Sequence, residues 1–202
     1  MIDRYLFPLA SRLLAPPAAA LARAGVGADQ ITLAGFALGM GAVPALAAGA
    51  PTIALALILL NRVADGLDGA VARATRPSDR GAFLDIALDF VFYAAVPLGF
   101  ALVDPADNAL PAAVLVTSFV GTGSSFLAFS VIAERRGLKP EAYPTKGLFY
   151  LGGLTEGFET MAVLIAMCLW PAGFPILAYG FAAACAVTTL TRWAAGWRAF
   201  AP

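Results

Sequence analysis

The chain has 202 residues, of which 60% are hydrophobic and 13% charged, where a soluble domain carries about 25% charged residues. Thirteen Lys and Arg balance thirteen Asp and Glu, and histidine is absent. This composition excludes a soluble globular domain and a nucleic-acid binder with a basic patch, and it reads as an integral membrane protein.

Residues 1 to 24 come first and differ from the rest. Arg4, Arg12 and Arg23 interrupt Leu, Phe and Ala, the pattern of an amphipathic helix lying in the membrane interface. Pro8, Pro16 and Pro17 break the segment, so it does not read as a cleavable signal peptide. A spanning helix needs about 20 mostly apolar residues. Six segments meet this, over 30–49, 51–73, 80–104, 109–133, 147–170 and 173–195. The expected fold class is therefore all-α: a single membrane domain over 1–202, with a six-helix core over 30–196. Cys168 and Cys185 lie in apolar runs without CxxC spacing and read as free packing residues.

Twelve of the thirteen basic residues fall on one face: before the first span, in or flanking alternate links, or near the end of the chain; the exception, Arg62, lies within a span. By the positive-inside rule both termini are expected in the cytoplasm. Trp170, Trp193 and Trp197 suit an interfacial belt. The run Gly121 to Ser125, "GTGSS", reads as a close-packing face.

The stretch 61–90, NRVADGLDGAVARATRPSDRGAFLDIALDF, carries five aspartates among apolar residues. Asp65 and Asp68 share a face of the second span, and Asp85 and Asp89 a face of the third. The four lie at similar distances from the link near Arg76 and Pro77. An antiparallel pair would bring them together, roughly 12–18 Å below that link by helix rise. Asp79 reads as a solvated link residue or the cap of the third span.

Four carboxylates in a low-dielectric setting need compensation. Pairing with Arg62, Arg73, Arg76 and Arg80 is one way; divalent cations are the other. An oxygen-only ligand set favours Mg²⁺, Mn²⁺ or Ca²⁺ over zinc or copper. Gly66, Gly69, Ala70 and Ala72 leave room beside the first pair, and Arg73, one turn beyond Gly69, can contact a phosphate. Three functions use such a site: metal-assisted phosphoryl transfer, an aspartate-rich intramembrane prenyltransferase and a cation transporter. A single compact cluster argues against the prenyltransferase, and apolar far halves of the helices argue against the transporter.

The order Asp65-x-x-Asp68-Gly69-x-x-Ala72-Arg73, seven residues, then Gly81-x-x-x-Asp85-x-x-x-Asp89 resembles the signature of the CDP-alcohol phosphatidyltransferases. The resemblance implies transfer of a substituted phosphate from a CDP-linked lipid, usually CDP-diacylglycerol (CDP-DAG), to an alcohol, with release of CMP. It implies two divalent ions, Mg²⁺ or Mn²⁺, on Asp65, Asp68, Asp85 and Asp89, with Asp89 also the general base. It sets Gly69, Ala72, Arg73 and Gly81 on the nucleotide side. Asp29 and Thr32, in the stretch "ADQIT", join them. It also implies a homodimer; the basic-residue pattern and the depth of the aspartates put the active site at the cytoplasmic side of the membrane.

The acceptor is left open among glycerol 3-phosphate, phosphatidylglycerol, inositol phosphate, serine and amino or polyol alcohols. Three residues are its candidates. Lys146 would meet an acceptor phosphate. Glu156 and Glu159, within an apolar run, would meet hydroxyls or an ammonium group, or else make interhelical contacts.

Overall fold

In a computed structural model, the backbone is described for residues 3–137 and 153–201, and side chains from Leu13 onward within the first helix. Among these residues the chain forms eight α-helices: α1 (Asp3–Arg23), α2 (Ala28–Met40), α3 (Ala42–Ala47), α4 (Pro51–Ala74), α5 (Asp79–Val103), α6 (Pro105–Arg135), α7 (Gly157–Leu169) and α8 (Phe174–Ala199). A 3-10 turn, Pro171–Gly173, links the last two. The helix ends follow local chemistry. Gly25 and Gly49 take positive φ values of 80° and 72°, the left-handed conformation that closes a helix. Pro51, Pro105 and Pro171 begin α4, α6 and the 3-10 turn, where a missing N–H costs nothing. Ser78, not Asp79, caps α5, its hydroxyl accepting from the Gly81 N–H at 3.0 Å.

The first expected span is two helices in line. Pro44 has no N–H to offer the Met40 carbonyl, so the helical ladder breaks at Gly41. Together α2 and α3 cover Ala28–Ala47, and this unit, α5, α6 and the α8 region are long and apolar enough to cross a membrane. The expected spans over 30–49, 51–73, 80–104, 109–133 and 173–195 correspond to α2–α3, α4, α5, α6 and α8 within a few residues. The span expected over 147–170 differs: residues 153–156 are not helical and the helix starts at Gly157. Its 13 residues reach only about 20 Å, short of the roughly 30 Å hydrocarbon thickness. α4 is long enough, but Arg62, Asp65 and Asp68 interrupt its apolar run.

The core lies where α3, α4, α5, α7 and α8 meet. Ile58, Phe92, Val96, Phe100, Leu164, Met167, Phe174 and Ala178 are fully buried there, and the Phe100 and Phe174 rings stack with centroids 4.6 Å apart. The outward faces stay apolar, with Leu110, Val120, Ile176 and Leu190 exposed, as lipid contact requires. Since lipid is as apolar as leucine, the helices are held by close packing and interhelical hydrogen bonds. Gly121 lies against Thr189 and Gly123 against the Phe90 ring. Thr188 Oγ1 accepts from the Thr155 hydroxyl at 2.9 Å and from its N–H at 3.1 Å. Trp170, Trp193 and Trp197 are all exposed.

The N-terminal helix is more than an interfacial float. Ala18 is buried against Ala70 and Val71 of α4, with Leu14, Leu21 and Leu67 around them. Gly66 makes room for Leu14, whose Cδ1 lies 2.5 Å from where a Cβ would stand. Gly99 of α5 plays the same part for α3, because a Cβ there would stand 2.8 Å from Leu46 Cβ and 3.2 Å from the Val43 carbonyl. Neither atom is the end of a flexible side chain. Gly99→Ala is therefore expected to cost about 1–3 kcal/mol through overpacking. A lower thermal midpoint of the detergent-solubilised protein checks this, and an unchanged midpoint would show that α3 and α5 separate freely.

Candidate functional site

The cleft forms because two glycines let α2 lie directly on α4. A Cβ on Gly35 would collide with Ala64, and one on Gly39 would stand 2.9 Å from Asn61. α2 packs against both α4 and α5, while the backbones of α4 and α5 scarcely approach one another. The space between them is lined by Thr32, Gly35 and Phe36 of α2, by Asn61, Arg62, Asp65 and Asp68 of α4, and by Asp85, Leu88, Asp89 and Phe92 of α5. Expecting α4 and α5 to pair directly was too simple. Their carboxylates face each other across a gap that α2 keeps open.

Within it, Asp65, Asp68 and Asp85 each offer an oxygen, and the three atoms lie within 4.8 Å of one another. Ligands of one hard cation are separated by at most twice the metal–oxygen distance, on the order of 4–5 Å, so this set can hold a divalent ion. Asp68 is buried and oriented by α2, since the Thr32 hydroxyl donates to its Oδ2 at 2.6 Å.

Asp89 stands apart from that trio. Its Oδ1 accepts from Arg62 Nη2 at 2.8 Å and its Oδ2 from the Tyr93 hydroxyl at 3.0 Å. Arg62 Nη1 also lies 3.5 Å from Asp65 Oδ2 and 3.2 Å from Tyr93 Oη. Asn61 Oδ1 accepts from Arg62 Nε and Nη2 at 3.0 and 2.7 Å, while Asn61 Nδ2 donates to the Gly35 carbonyl at 3.0 Å. The arginine pairing weighed from the sequence thus exists, through Arg62, alongside a cation-ready trio.

The remaining candidates occupy three places. Arg73 reaches back over Gly69, its Nη1 lying 3.1 Å from the position of a Cβ there. Ala72 is half-buried beside it on α4. Asp29 accepts from Arg80 Nε at 2.6 Å, and a Cβ on Gly81 would lie 3.2 Å from Asp29 Oδ1. Asp29, Arg80 and Gly81 therefore form one group where α2 and α5 begin. Lys146 lies outside the described residues. Glu156 and Glu159 do not line the cleft. Both help to start α7: Glu156's side chain accepts from the Glu159 N–H, and Glu159 Oε2 accepts from the Glu156 N–H at 3.1 Å, while Glu156 Oε1 also accepts from the Gly153 N–H at 2.9 Å. This is a reciprocal cap, set at the mouth of the helix instead of inside a span. Their helix start is nonetheless near the site, since a Cβ on Gly157 would be 3.8 Å from Tyr93 Oη.

The sequence offered Arg62 as one of four possible ion-pair partners of the aspartates, and it gave no role to Asn61, Tyr93 or Gly35. Two signals could have found Arg62 and Tyr93. Arg62 stands in the middle of an expected span, where the other basic residues lie near span ends or outside the spans, and Tyr93 stands one helical turn from Asp89.

The sequence profile described as CDP-alcohol phosphatidyltransferase matches residues 26–195. The chain belongs to that family. It is thus a membrane-embedded enzyme of the CDP-alcohol phosphatidyltransferase class, which sets aside the prenyltransferase and transporter readings. It is 48% identical over 192 residues to inner membrane protein YnjF of Escherichia coli, covering 95% of this chain and 93% of that protein. It is 38% identical over 90 residues to archaetidylinositol phosphate synthase of Methanothermobacter thermautotrophicus, covering 44% and 40%. The fold matches phosphatidylinositol phosphate synthase of Mycobacterium tuberculosis with CDP-DAG bound, with TM-score 0.69, 23% identity and 92% and 94% coverage. A second structure of that protein, with manganese and citrate, gives TM-score 0.70 at 22% identity, covering 91% and 88%.

The Thr32 bond to Asp68 is a partner outside the trio, and such partners are worth about 10–100-fold in metal affinity. Thr32→Val should weaken Mn²⁺ binding by that factor. Titration of the purified protein followed by electron paramagnetic resonance reads it, and an unchanged affinity would mean that Asp68 needs no support from α2.

Proposed function

We propose that this enzyme moves the phosphatidyl group of CDP-DAG to an acceptor alcohol carrying a phosphate, releasing CMP. The observation that carries the reading is the trio Asp65, Asp68 and Asp85, gathered within 4.8 Å, with Asp89 held beside it. A divalent ion on that trio, Mg²⁺ or Mn²⁺, would neutralise the diphosphate and stabilise CMP as leaving group. The family resemblance implies a second ion reaching Asp89; the surroundings of Asp89 favour a different cation there, argued below.

Asp89 is the group left to act on the acceptor. The acceptor hydroxyl gives its proton to the Asp89 carboxylate while its oxygen attacks the phosphorus nearer the lipid. The bond from that phosphorus to the CMP oxygen breaks, and CMP leaves with the electron pair. Gly69, Ala72 and Arg73 lie on α4 beyond the cleft lining and would take the nucleotide at its edge: Gly69 would let the ligand approach the α4 backbone, and Arg73 would offer a guanidinium to phosphate. Thr32 serves through Asp68. Asp29 and Gly81 form the rim where α2 and α5 start, with Asp29 steadied by Arg80.

Two relatives named above make inositol phosphate lipids, which supports a phosphorylated acceptor. Lys146 is our candidate for that phosphate. Glu156 and Glu159, occupied in starting α7, are second candidates, for a neutral or ammonium-bearing acceptor. The basic residues favour cytoplasmic termini and a cytoplasmic active site in the inner membrane, and the inner-membrane relative supports that location. We further propose a homodimer, which a native mass in nanodiscs of two chains would check.

Purified protein with CDP-DAG, an acceptor panel and Mg²⁺ or Mn²⁺ should release CMP, and excess EDTA should abolish release. Asp89→Asn should lower kcat by about 10²–10⁴-fold with donor binding retained; turnover near the wild-type rate would remove Asp89 from the role of base.

On the acceptor side, Lys146→Ala should raise KM for a phosphorylated acceptor while leaving CDP-DAG binding alone. If Glu156→Gln is instead the more damaging change, the acceptor is neutral or carries an ammonium group. Unchanged kinetics in both would place the pocket elsewhere.

A further inference from the structure

The arrangement around Asp89 bears on how many metal ions the enzyme holds. Two carboxylates on different helices, Asp65 of α4 and Asp89 of α5, turn toward one point, and that point is filled by the Arg62 guanidinium. Arg62 Nη2 is 2.8 Å from Asp89 Oδ1 and Nη1 is 3.5 Å from Asp65 Oδ2. We propose that Arg62 is the built-in second cation of this site, so that the donor-free enzyme binds one divalent ion, at Asp65, Asp68 and Asp85. The inference rests on the transferase reading only in taking that trio as a metal site.

Three features argue that the guanidinium is installed there. First, it is braced from behind. Asn61 Oδ1 accepts from Nε and Nη2, and the Asn61 amide is anchored in turn by donating to the Gly35 carbonyl. Asn61 is itself buried, so Arg62 cannot swing away without leaving buried polar atoms unpaired. Second, the guanidinium carbon lies 5.4 Å from the Phe92 ring centroid and 5.6 Å from that of Tyr93, within the range of cation–π attraction. Third, both Asp89 oxygens are already engaged, Oδ1 by Arg62 and Oδ2 by the Tyr93 hydroxyl.

A divalent ion shared by Asp65 and Asp89 would have to sit against this guanidinium, where two like charges repel strongly at low dielectric. An always-charged arginine offsets one of the two negative charges, bridges both carboxylates and holds Asp89 at a fixed orientation. Arg62 is thus a positioning residue for Asp89 as well as a charge.

The test is an ion count. Mn²⁺ titration of wild-type protein in nanodiscs without donor, read by electron paramagnetic resonance, should give one ion per chain, and Asp68→Asn should lose it. Arg62→Met removes the charge while keeping a long side chain. It should admit a second Mn²⁺, seen as a stoichiometry of two and as line broadening from two neighbouring ions. The double variant Arg62→Met with Asp89→Asn should return to one. Two ions in wild type would overturn the proposal without any variant, which covers the case in which Arg62→Met does not fold. One ion in Arg62→Met, or two in the double variant, would overturn it as well. CMP release tells the two readings apart. Two wild-type ions with CMP release intact sinks only the role of Arg62. One wild-type ion without CMP release sinks the transferase reading and leaves the role of Arg62 standing. No bound ion sinks both.

Discussion

Charged carboxylates surrounded by apolar helices must be compensated, because neither lipid nor packed hydrocarbon can solvate them. Much of this molecule follows from that requirement. The compensating groups come from three helices, so α2, α4 and α5 must stand at fixed heights and close range. Thr32 of α2 reaches Asp68 at 2.6 Å, and Arg62 of α4 reaches Asp89 of α5 at 2.8 Å. Such distances tolerate little slippage, and the glycines at 35 and 39 give α2 and α4 the approach that fixes them. The long apolar helices around this centre supply area; the polar centre supplies register.

Depth also divides the labour among the carboxylates. Asp65 and Asp68 are three residues apart and Asp85 and Asp89 four, yet the four do not form one symmetric cage. Three of them converge, while Asp89 is drawn toward Arg62 and Tyr93. One helical turn separates Asp85 from Asp89, and that turn carries Asp89 away from the metal-ready oxygens into a set of hydrogen-bond donors. A carboxylate pinned by a guanidinium and a phenol differs chemically from one that shares a cation. The same signature can therefore set a cation-ready carboxylate beside one held by hydrogen-bond donors.

Most of the helix pattern was legible because apolar length and breakers are local properties. Gly49 followed by Pro51 marks the start of α4, and Ser78 before Asp79 marks that of α5. Where the reading failed, the controlling contact was distant or disguised. The run before Leu169 is apolar on both sides of Thr155–Thr160, so the two glutamates read as polar groups inside one long span, whereas they accept from backbone N–H groups where the helix begins. The docking of α1 was hidden for a related reason. Its Ala18 and Leu14 look like an ordinary apolar face, and only the hollow at Gly66 on α4 shows what receives them. The site was legible in its residue types, since four aspartates at helical spacing in an apolar chain have few explanations. Their partners were not, because pairing Arg62 with Asp89 requires the relative height of two helices that scarcely touch.

The amide of Asn61 has a consequence for how this site can change over evolutionary time. A guanidinium only donates, so the amide oxygen must face Arg62 and the NH₂ must face the Gly35 carbonyl. Aspartate would keep the acceptor and lose the donor, and leucine would lose both. The two positions are therefore bound to one another: a chain without arginine at 62 has no use for the acceptor at 61, and a chain without asparagine at 61 leaves the arginine unbraced. Drift at either site alone passes through a less stable intermediate, so residues 61 and 62 should vary as a pair or hold still together.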